Sequence, residues 1–291
     1  MTTKMQAGRS DLALEAAENL GFGTAKWREM AGVTAVESHR RGYGVTAITV
    51  SSARASAALD KPMGRYVTID LRPYFRREAG FFPRAAECVA AELRSLLPSD
   101  IGRRPVLVAG LGNGTMAADA IGPTAVGSLL VTRHMVRSAP RQFGQFTAVA
   151  ALCPGVLAQS GMETLETVRA VVREICPGAV VVIDALAAAG RDRLCATVQL
   201  SDAGLAPGSG VGNHRLALTE DTLGVPVAAV GVPTVMDAAH LCPQGEGEEP
   251  LFLTPRDIDS RVRELGRIVG YGVTLALQPG LGIEDITGLL G

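Results

Sequence analysis

Residues 105–187 alternate short apolar runs with amphipathic segments: PVLVAGLGN (105–113), GPTAVGSLLVTRHMV (122–136), FTAVAAL (146–152), METLETVRAVVREI (162–175) and AVVVIDALA (179–187). Apolar runs without polar alternation are typical of strands buried on both faces, and the longer segments between them have helical spacing. This alternation predicts an α/β fold with a mostly parallel sheet and helices on both faces.

The flanking sequence adds further elements to the same core. Helices are predicted at residues 11–20, 84–97 and 258–277, and strands at residues 45–50, 66–71, 195–200 and 225–230. Residues 244–250 (QGEGEEP) form a solvated loop. Because no linker or internal repeat divides the chain, residues 12–291 are predicted to form a single α/β domain.

Composition excludes several classes of partner. The 28 basic side chains nearly balance the 29 acidic ones, and aromatic residues make up 4% of the 291 residues, so neither a basic field nor a base-stacking surface is expected. No run of ~20 apolar residues predicts a membrane span or signal peptide, and we expect a cytoplasmic protein. Five cysteines without a CxxC pair indicate neither a disulfide framework nor a structural zinc site.

Two aspartates follow buried strands, where binding sites of open α/β sheets form. Asp119 comes shortly after the glycine-rich end of the run 105–113, and Asp184 comes directly after AVVVI. Such a pair can share a proton and activate water, or hold a metal ion that does so. Alternatively, Asp119 caps a helix beginning near Ile121, and Asp184 caps a helix through residues 185–189. The spacing alone leaves these possibilities open.

Other motifs carry weaker signals. Residues 110–114 (GLGNG) lack the third glycine of a dinucleotide-binding loop and the lysine of a P-loop. Ser209 is not in a G-x-S-x-G elbow, and the histidines at 134, 214 and 240 form no HExxH motif. Nucleotide binding, serine catalysis and a standard zinc-protease site are therefore not indicated.

Several longer segments resemble the germination protease family of spore-forming bacteria. They are VAGLGNGTMAADAIGP (108–123), LLVTRH (129–134), VVIDALAA (181–188), SDAGLAPGSGVGN (201–213) and TLGVPVAAVGVPTVMDA (222–238), with shorter matches SDLALE (10–15) and LTP (253–255). The resemblance implies an endopeptidase that degrades small acid-soluble spore proteins during germination, cutting after an acidic and before an apolar residue. It also implies a homo-oligomer of the forespore or spore core that binds no nucleic acid directly.

The resemblance further implies a precursor that removes its own N-terminal segment. Asp11-Leu12 fits the bond to be cut, so residues 1–11 are a candidate prosegment and residues 12–291 a single peptidase domain. The family fold resembles that of hydrogenase-maturation proteases, a phosphorylase/hydrolase-like α/β fold.

By the same resemblance, Asp119 and Asp184 are the catalytic pair, activating water without a metal cofactor. Possible supporting or substrate-cleft residues in the matching segments are Asn113, Asp202, Ser209, Asn213 and Asp237. Two alternatives remain: a divalent metal held by Asp119 and Asp184 in a maturation-type peptidase, or an impaired family member that acts as a binding or regulatory protein. The second arises because Ala117-Ala118 replaces the usual Thr-Pro and the connection across residues 238–254 is short.

Overall fold

A computed structural model describes residues 10–19, 31–208, 215–241 and 251–290. The predicted loop at 244–250 and the cleft residues Ser209 and Asn213 lie outside these ranges. Within the described part of the chain, no helix combines the length and hydropathy needed to cross a membrane.

The described residues form helices and strands that alternate through the central part of the chain. The helices are α1 (Ala13–Asn19), α2 (Ala53–Leu59), α3 (Phe81–Arg94), α4 (Ile121–Val126), α5 (Arg133–Ser138), α6 (Pro140–Phe143), α7 (Leu157–Ser160), α8 (Thr164–Ile175), α9 (Glu220–Leu223), α10 (Ile258–Leu277) and α11 (Ile283–Leu290). The strands are β1 (Val33–Arg40), β2 (Tyr43–Val50), β3 (Gly64–Asp70), β4 (Val106–Gly110), β5 (Val149–Leu152), β6 (Ala179–Ala188), β7 (Thr197–Ser201), β8 (Val227–Asp237) and β9 (Phe252–Leu253).

All the described strands belong to one sheet, in the order β1-β2-β3-β7-β8-β6-β4-β5, with β9 paired to β8. Only the neighbours β8-β6-β4-β5 run parallel; the described pairs β1-β2, β2-β3, β3-β7, β7-β8 and β8-β9 are antiparallel. The prediction of a mostly parallel sheet is therefore wrong, and the sheet is mixed and mostly antiparallel. The resemblance to the hydrogenase-maturation protease fold stays a prediction.

The antiparallel half begins with a tight hairpin. Arg41 and Gly42 join β1 to β2, and both have positive φ, 55° and 89°. Two consecutive residues with positive φ make the type of turn that matches the twist of two antiparallel strands. A parallel pairing would need a crossover of a dozen or more residues, which this two-residue connection excludes.

Helices cover both faces of the sheet, as predicted. Alternate residues of β4 point to opposite sides: Val106 and Val108 pack in the large cluster with α3, α4 and α10, whereas Leu107 and Ala109 pack in a second cluster with α8. Because each face of a strand buries every second residue, β4 has to be apolar throughout. This double burial explains the continuous apolar runs of the central segments.

Most predicted elements are confirmed within a few residues, and three differ in a way that matters. The predicted helix at 122–136 is two helices, α4 and α5, separated by residues 127–132. The predicted strand at 225–230 extends to Asp237. The strand that begins with AVVVI does not end at Asp184, because β6 stays paired with β8 as far as Ala188. The helix that Asp184 was alternatively predicted to cap, at 185–189, is therefore absent.

Candidate active site

Asp119 lies in a loop that folds back against the end of β4. The strand ends at Gly110, and the carboxylate oxygen Oδ2 of Asp119 accepts the backbone N–H of Asn113 at 2.7 Å. Gly112 makes this return possible, since its φ is 101° and a Cβ there would lie 2.1 Å from the carbonyl oxygen of Asp119. No side chain fits between these two parts of the loop.

Two threonine side chains also hold this loop in place. Oγ1 of Thr234 on β8, which is fully buried, donates to the carbonyl oxygen of Ala118 at 2.5 Å, and Thr254 Oγ1 donates to the carbonyl oxygen of Thr234 at 2.8 Å. Thr234 was not singled out from the sequence, although it lies in the matching segment 222–238. Its hydroxyl supports the loop in which Ala117-Ala118 replaces Thr-Pro.

Asp184 lies inside β6, where the neighbouring strand β4 leaves the sheet. Gly110 is the last residue of β4 and pairs with Ile183; the next backbone N–H, of Leu111, donates to the carbonyl oxygen of Ile183 at 2.8 Å. The Asp184 side chain is 5% exposed, and its Oδ1 accepts the N–H of Ala185 at 2.9 Å. Asp184 therefore lies one residue beyond the last paired residue of β4, although β6 itself continues.

The pKa values of both carboxyl groups are raised, and the charge of Asp119 contributes to the shift of Asp184. Burial raises the pKa of Asp184 well above its ordinary value, and the charge of Asp119 raises it further, against the lowering effect of the Ala185 N–H. Burial also raises the pKa of Asp119, whereas the Asn113 N–H lowers it. A carboxyl group that is buried beside another negative charge keeps its proton to higher pH. The pair can therefore supply an acid and a base together.

The N-terminal segment lies beside this pair. The backbone N–H of Asp11 donates to the carbonyl oxygen of Ala187 at 3.0 Å, and the N–H of Ala187 donates to Asp11 Oδ2 at 2.8 Å. The charge of Asp11 is also one of the groups that raise the pKa of Asp184. The Asp11–Leu12 bond is thus attached to the same strand that carries Asp184.

Leu12 fills an apolar pocket next to that bond. Its side chain is fully buried and packs with Leu186 and Ala188 of β6 and with Leu205. Gly231 on β8 makes room for Leu186, since a Cβ on this glycine would lie 2.3 Å from Leu186 Cδ1. The pocket accepts an apolar side chain immediately after an acidic residue.

Glu15 fixes the segment further along. Its carboxylate accepts the backbone N–H groups of Ala189 and Gly190 at 2.6 and 2.7 Å, accepts the hydroxyl of Ser10, and pairs with Arg193 at 3.7 Å. Glu15 is almost fully buried. Glu15, four positions after Asp11, therefore attaches the N-terminal segment to the chain just beyond β6.

The other predicted site residues are dispersed. Asn113 contributes its backbone N–H to Asp119, while its side-chain oxygen accepts from Thr115 and Gln159. Asp202 accepts the N–H of Arg65 at 2.6 Å, and Asp237 accepts the N–H of Ala239 at 2.9 Å. In the described contacts, both of these aspartates accept backbone N–H groups, Asp202 from the neighbouring strand β3 and Asp237 from two residues further along the chain. Ser209 and Asn213 lie outside the described residues.

A metal site needs several ligands of suitable type. Among the residues that the structure describes, no group of three or more His, Cys, Asp or Glu side chains is arranged to hold a metal ion. In that part of the chain, the two aspartates therefore have no third ligand of these types.

The raised pKa of Asp184 predicts that this residue weakens stability as pH rises. The folded protein keeps the Asp184 proton to a higher pH than the unfolded chain does, so stability is fully present below the unfolded pKa and is lost as pH rises through the folded pKa. We expect the unfolding free energy of Asp184→Asn to exceed that of the wild type by more at about pH 8 than at about pH 4. Urea unfolding at both pH values measures this; the exposed Asp100→Asn is the control, and a constant difference would contradict it.

Comparison with known proteins gives consistent matches along the chain. A family model described as germination protease matches residues 10–245. A germination protease from Caldanaerobacter subterraneus subsp. tengcongensis is 37% identical over 97% of this chain and 98% of its own length. One from Clostridium perfringens is 36% identical over 97% and 98%, and one from Bacillus cereus is 37% identical over 80% of this chain and 64% of its own.

Proposed function

We propose, since this chain belongs to the germination protease family, that it is an endopeptidase made as an autoprocessing precursor, which degrades small acid-soluble spore proteins during germination. Membership in this family makes it a peptidase of the spore-protease type. The observation that carries the finer proposal is the position of the Asp11–Leu12 bond, an acid followed by an apolar residue, docked on the strand that carries Asp184.

The proposed chemistry is hydrolysis by water that the two carboxyls activate. Asp184, whose pKa is raised more strongly by burial and by its neighbour, holds the shared proton, and Asp119 accepts a proton from the attacking water. The water oxygen bonds to the carbonyl carbon of Asp11, the C–N bond breaks, and the amine of Leu12 takes a proton from the pair. No covalent intermediate and no metal ion is needed.

The docked segment also supports a rule for substrates. The Ala187 N–H binds the acidic side chain before the bond, and the pocket formed by Leu186, Ala188 and Leu205 accepts the apolar one after it. Small acid-soluble spore proteins released from DNA suit this site because unstructured chains reach it without prior unfolding. Removal of residues 1–11 frees the Ala187 N–H, and the new N-terminus at Leu12 then has to leave its pocket before a substrate can enter.

The remaining features of the proposal follow the family resemblance. The mature enzyme is residues 12–291, works in the spore core as a homo-oligomer, and contacts the substrate protein rather than DNA. Support of the loop by Thr234, through the Ala118 carbonyl, favours the active peptidase over the alternative of an impaired binding protein.

The test is cleavage by the purified full-length chain. We expect intact-mass measurement to find a product that begins at Leu12, and an added unstructured spore protein to be cut only between acidic and apolar residues. EDTA treatment should leave both reactions unchanged; their loss and recovery with a divalent metal would support the metal-dependent alternative. A chain that neither trims itself nor cuts the added protein contradicts the proposal.

A further inference from the structure

We infer that the side-chain amide of Gln199 binds the peptide bond to be cut. Its Nε2 donates to the carbonyl oxygen of that bond, and its Oε1 accepts the backbone N–H of the second residue after the bond. This inference rests on the proposed function, because it assigns a role toward the Asp11–Leu12 bond. Gln199 was predicted only as part of the strand at 195–200, without a role.

The contacts of Gln199 are made with main-chain atoms on both sides of the bond. Nε2 lies 3.1 Å from the carbonyl oxygen of Asp11, and Oε1 accepts the N–H of Ala13 at 2.7 Å. The side chain is 8% exposed, so these bonds form out of contact with bulk water. Because neither partner is a side chain, the same clamp serves any substrate sequence that enters the site.

The position of Gln199 in the sheet places it across the bond from the carboxyl pair. On β8, Gly231 is in register with Gln199 of β7 on one side and with Asp184 of β6 on the other. Residues in register on adjacent strands face the same side of the sheet, and two strand spacings amount to about 10 Å. The Leu186 side chain lies over Gly231, between the Gln199 amide and the Asp184 carboxyl group in register, and Asp11 bonds to groups on both β6 and β7.

An amide donor in this position assists hydrolysis directly. The carbonyl oxygen of Asp11 gains negative charge when water adds to its carbon, and a donor already in place stabilises that charge without reorganisation. A glutamine supplies the N–H at every pH, whereas a carboxyl group would supply an O–H only when protonated. Loss of one such donor typically slows a reaction by about 10²–10³-fold.

Gln199 also has a structural contact that the experiment has to separate from this role. Ala13 is the first residue of α1, so Oε1 satisfies one of the free N–H groups at the start of that helix. The variant Gln199→Glu keeps an oxygen for Ala13 and loses the donor for Asp11. The variant Gln199→Met has a similar shape and loses both.

The experiment measures the rate at which the full-length chain releases a product beginning at Leu12, by intact mass against time. We expect Gln199→Glu to be about 10²–10³-fold slower than the wild type near neutral pH. Its deficit should shrink as pH falls through the range in which the new carboxyl gains a proton and can donate again. The deficit of Gln199→Met should persist, because it has no group to protonate. Rates are compared as ratios to the wild type at each pH, because the charged groups that surround the site, Asp11, Glu15, Lys61, Asp119, Asp184 and Arg193, are present in both proteins.

Thr68→Val is the matched control. Thr68 is the register partner of Gln199 on β3, and its Oγ1 is buried with no hydrogen-bond partner among the described residues. Replacement of this hydroxyl by a methyl group keeps the shape of the strand, so cleavage should continue at the wild-type rate. Circular dichroism and thermal unfolding verify that all three variants fold.

The possible results distinguish a failure of the role of Gln199 from a failure of the proposed function. If the wild type cleaves at Leu12 and Gln199→Glu does so at the same rate, the role of Gln199 is overturned and the proposed function stands. A deficit in Gln199→Glu that does not shrink on acidification also overturns it and leaves a helix-capping role. If the wild type itself never cleaves there, the proposed function fails first.

Discussion

Exchange of Asp184 for Asn should slow release of the N-terminal segment by about 10²–10⁴-fold, the contribution expected of a positioned acid–base group. The amide keeps the size of the side chain, and its oxygen can still accept the Ala185 N–H, but it holds no transferable proton. Asp119→Asn should have a similar effect, because an amide accepts no proton from water near neutral pH. The double variant should be hardly slower than either single variant, since two residues that act as one unit are not additive.

Intact mass and N-terminal sequencing over time measure these rates. Asp100→Asn, which exchanges an exposed aspartate, is the control and should trim itself like the wild type. Thermal unfolding separates lost chemistry from lost structure, and the Asp184 variant should be at least as stable as the wild type above neutral pH because it no longer buries a charge. If either variant trims itself at the wild-type rate, that aspartate has no part in the reaction.

Leu12→Asp should prevent docking of the segment and slow self-cleavage by at least about 10²-fold. Burial of a leucine side chain contributes about 1.5–3 kcal/mol, and a charged group placed in the same pocket adds a desolvation cost. Leu186 and Ala188 offer no hydrogen-bonding side chain to the new carboxylate. The segment should then exchange its amide hydrogens faster, which hydrogen exchange at residues 11–17 measures.

Leu12→Met is the matched control for this pocket. Methionine keeps the apolar character and nearly the volume of leucine, and swaps of this kind usually cost less than about 1.5 kcal/mol. Self-cleavage by Leu12→Met should therefore stay within about tenfold of the wild type. Equal rates for the Asp and Met variants would show that the pocket does not select the residue after the bond.

The central elements could be predicted from local sequence because they are buried on both faces. The apolar runs of β4 and β6 and the amphipathic pattern of α8 and α10 are visible in short windows. The edge strand β1 was not predicted, since most of its side chains are exposed and give no apolar pattern. The direction of a strand is not visible in a short window of sequence. The antiparallel neighbours of β8 were therefore predicted to belong to a mostly parallel sheet.

Likewise, only part of the candidate site could be predicted from the sequence. The spacing of residues left Asp184 between catalysis and helix capping; the continuation of β6 removed the helix, and the family resemblance supplied the catalytic prediction. Gln199 and Thr234 were not identified as site residues, because each acts on backbone atoms far away in the chain. Contacts of that type appear only after the strands are aligned.

The residues that bind Asp11 lie far along the chain, so they are synthesised long after Asp11 itself. The groups that grip Asp11 are 176 residues further on in Ala187 and 188 residues further on in Gln199. At ribosomal speeds of ~5–20 residues per second, those partners are synthesised roughly 9–38 s after Asp11. Under the proposed function, self-cleavage therefore has to wait until β6 and β7 have been synthesised and have folded around Asp11.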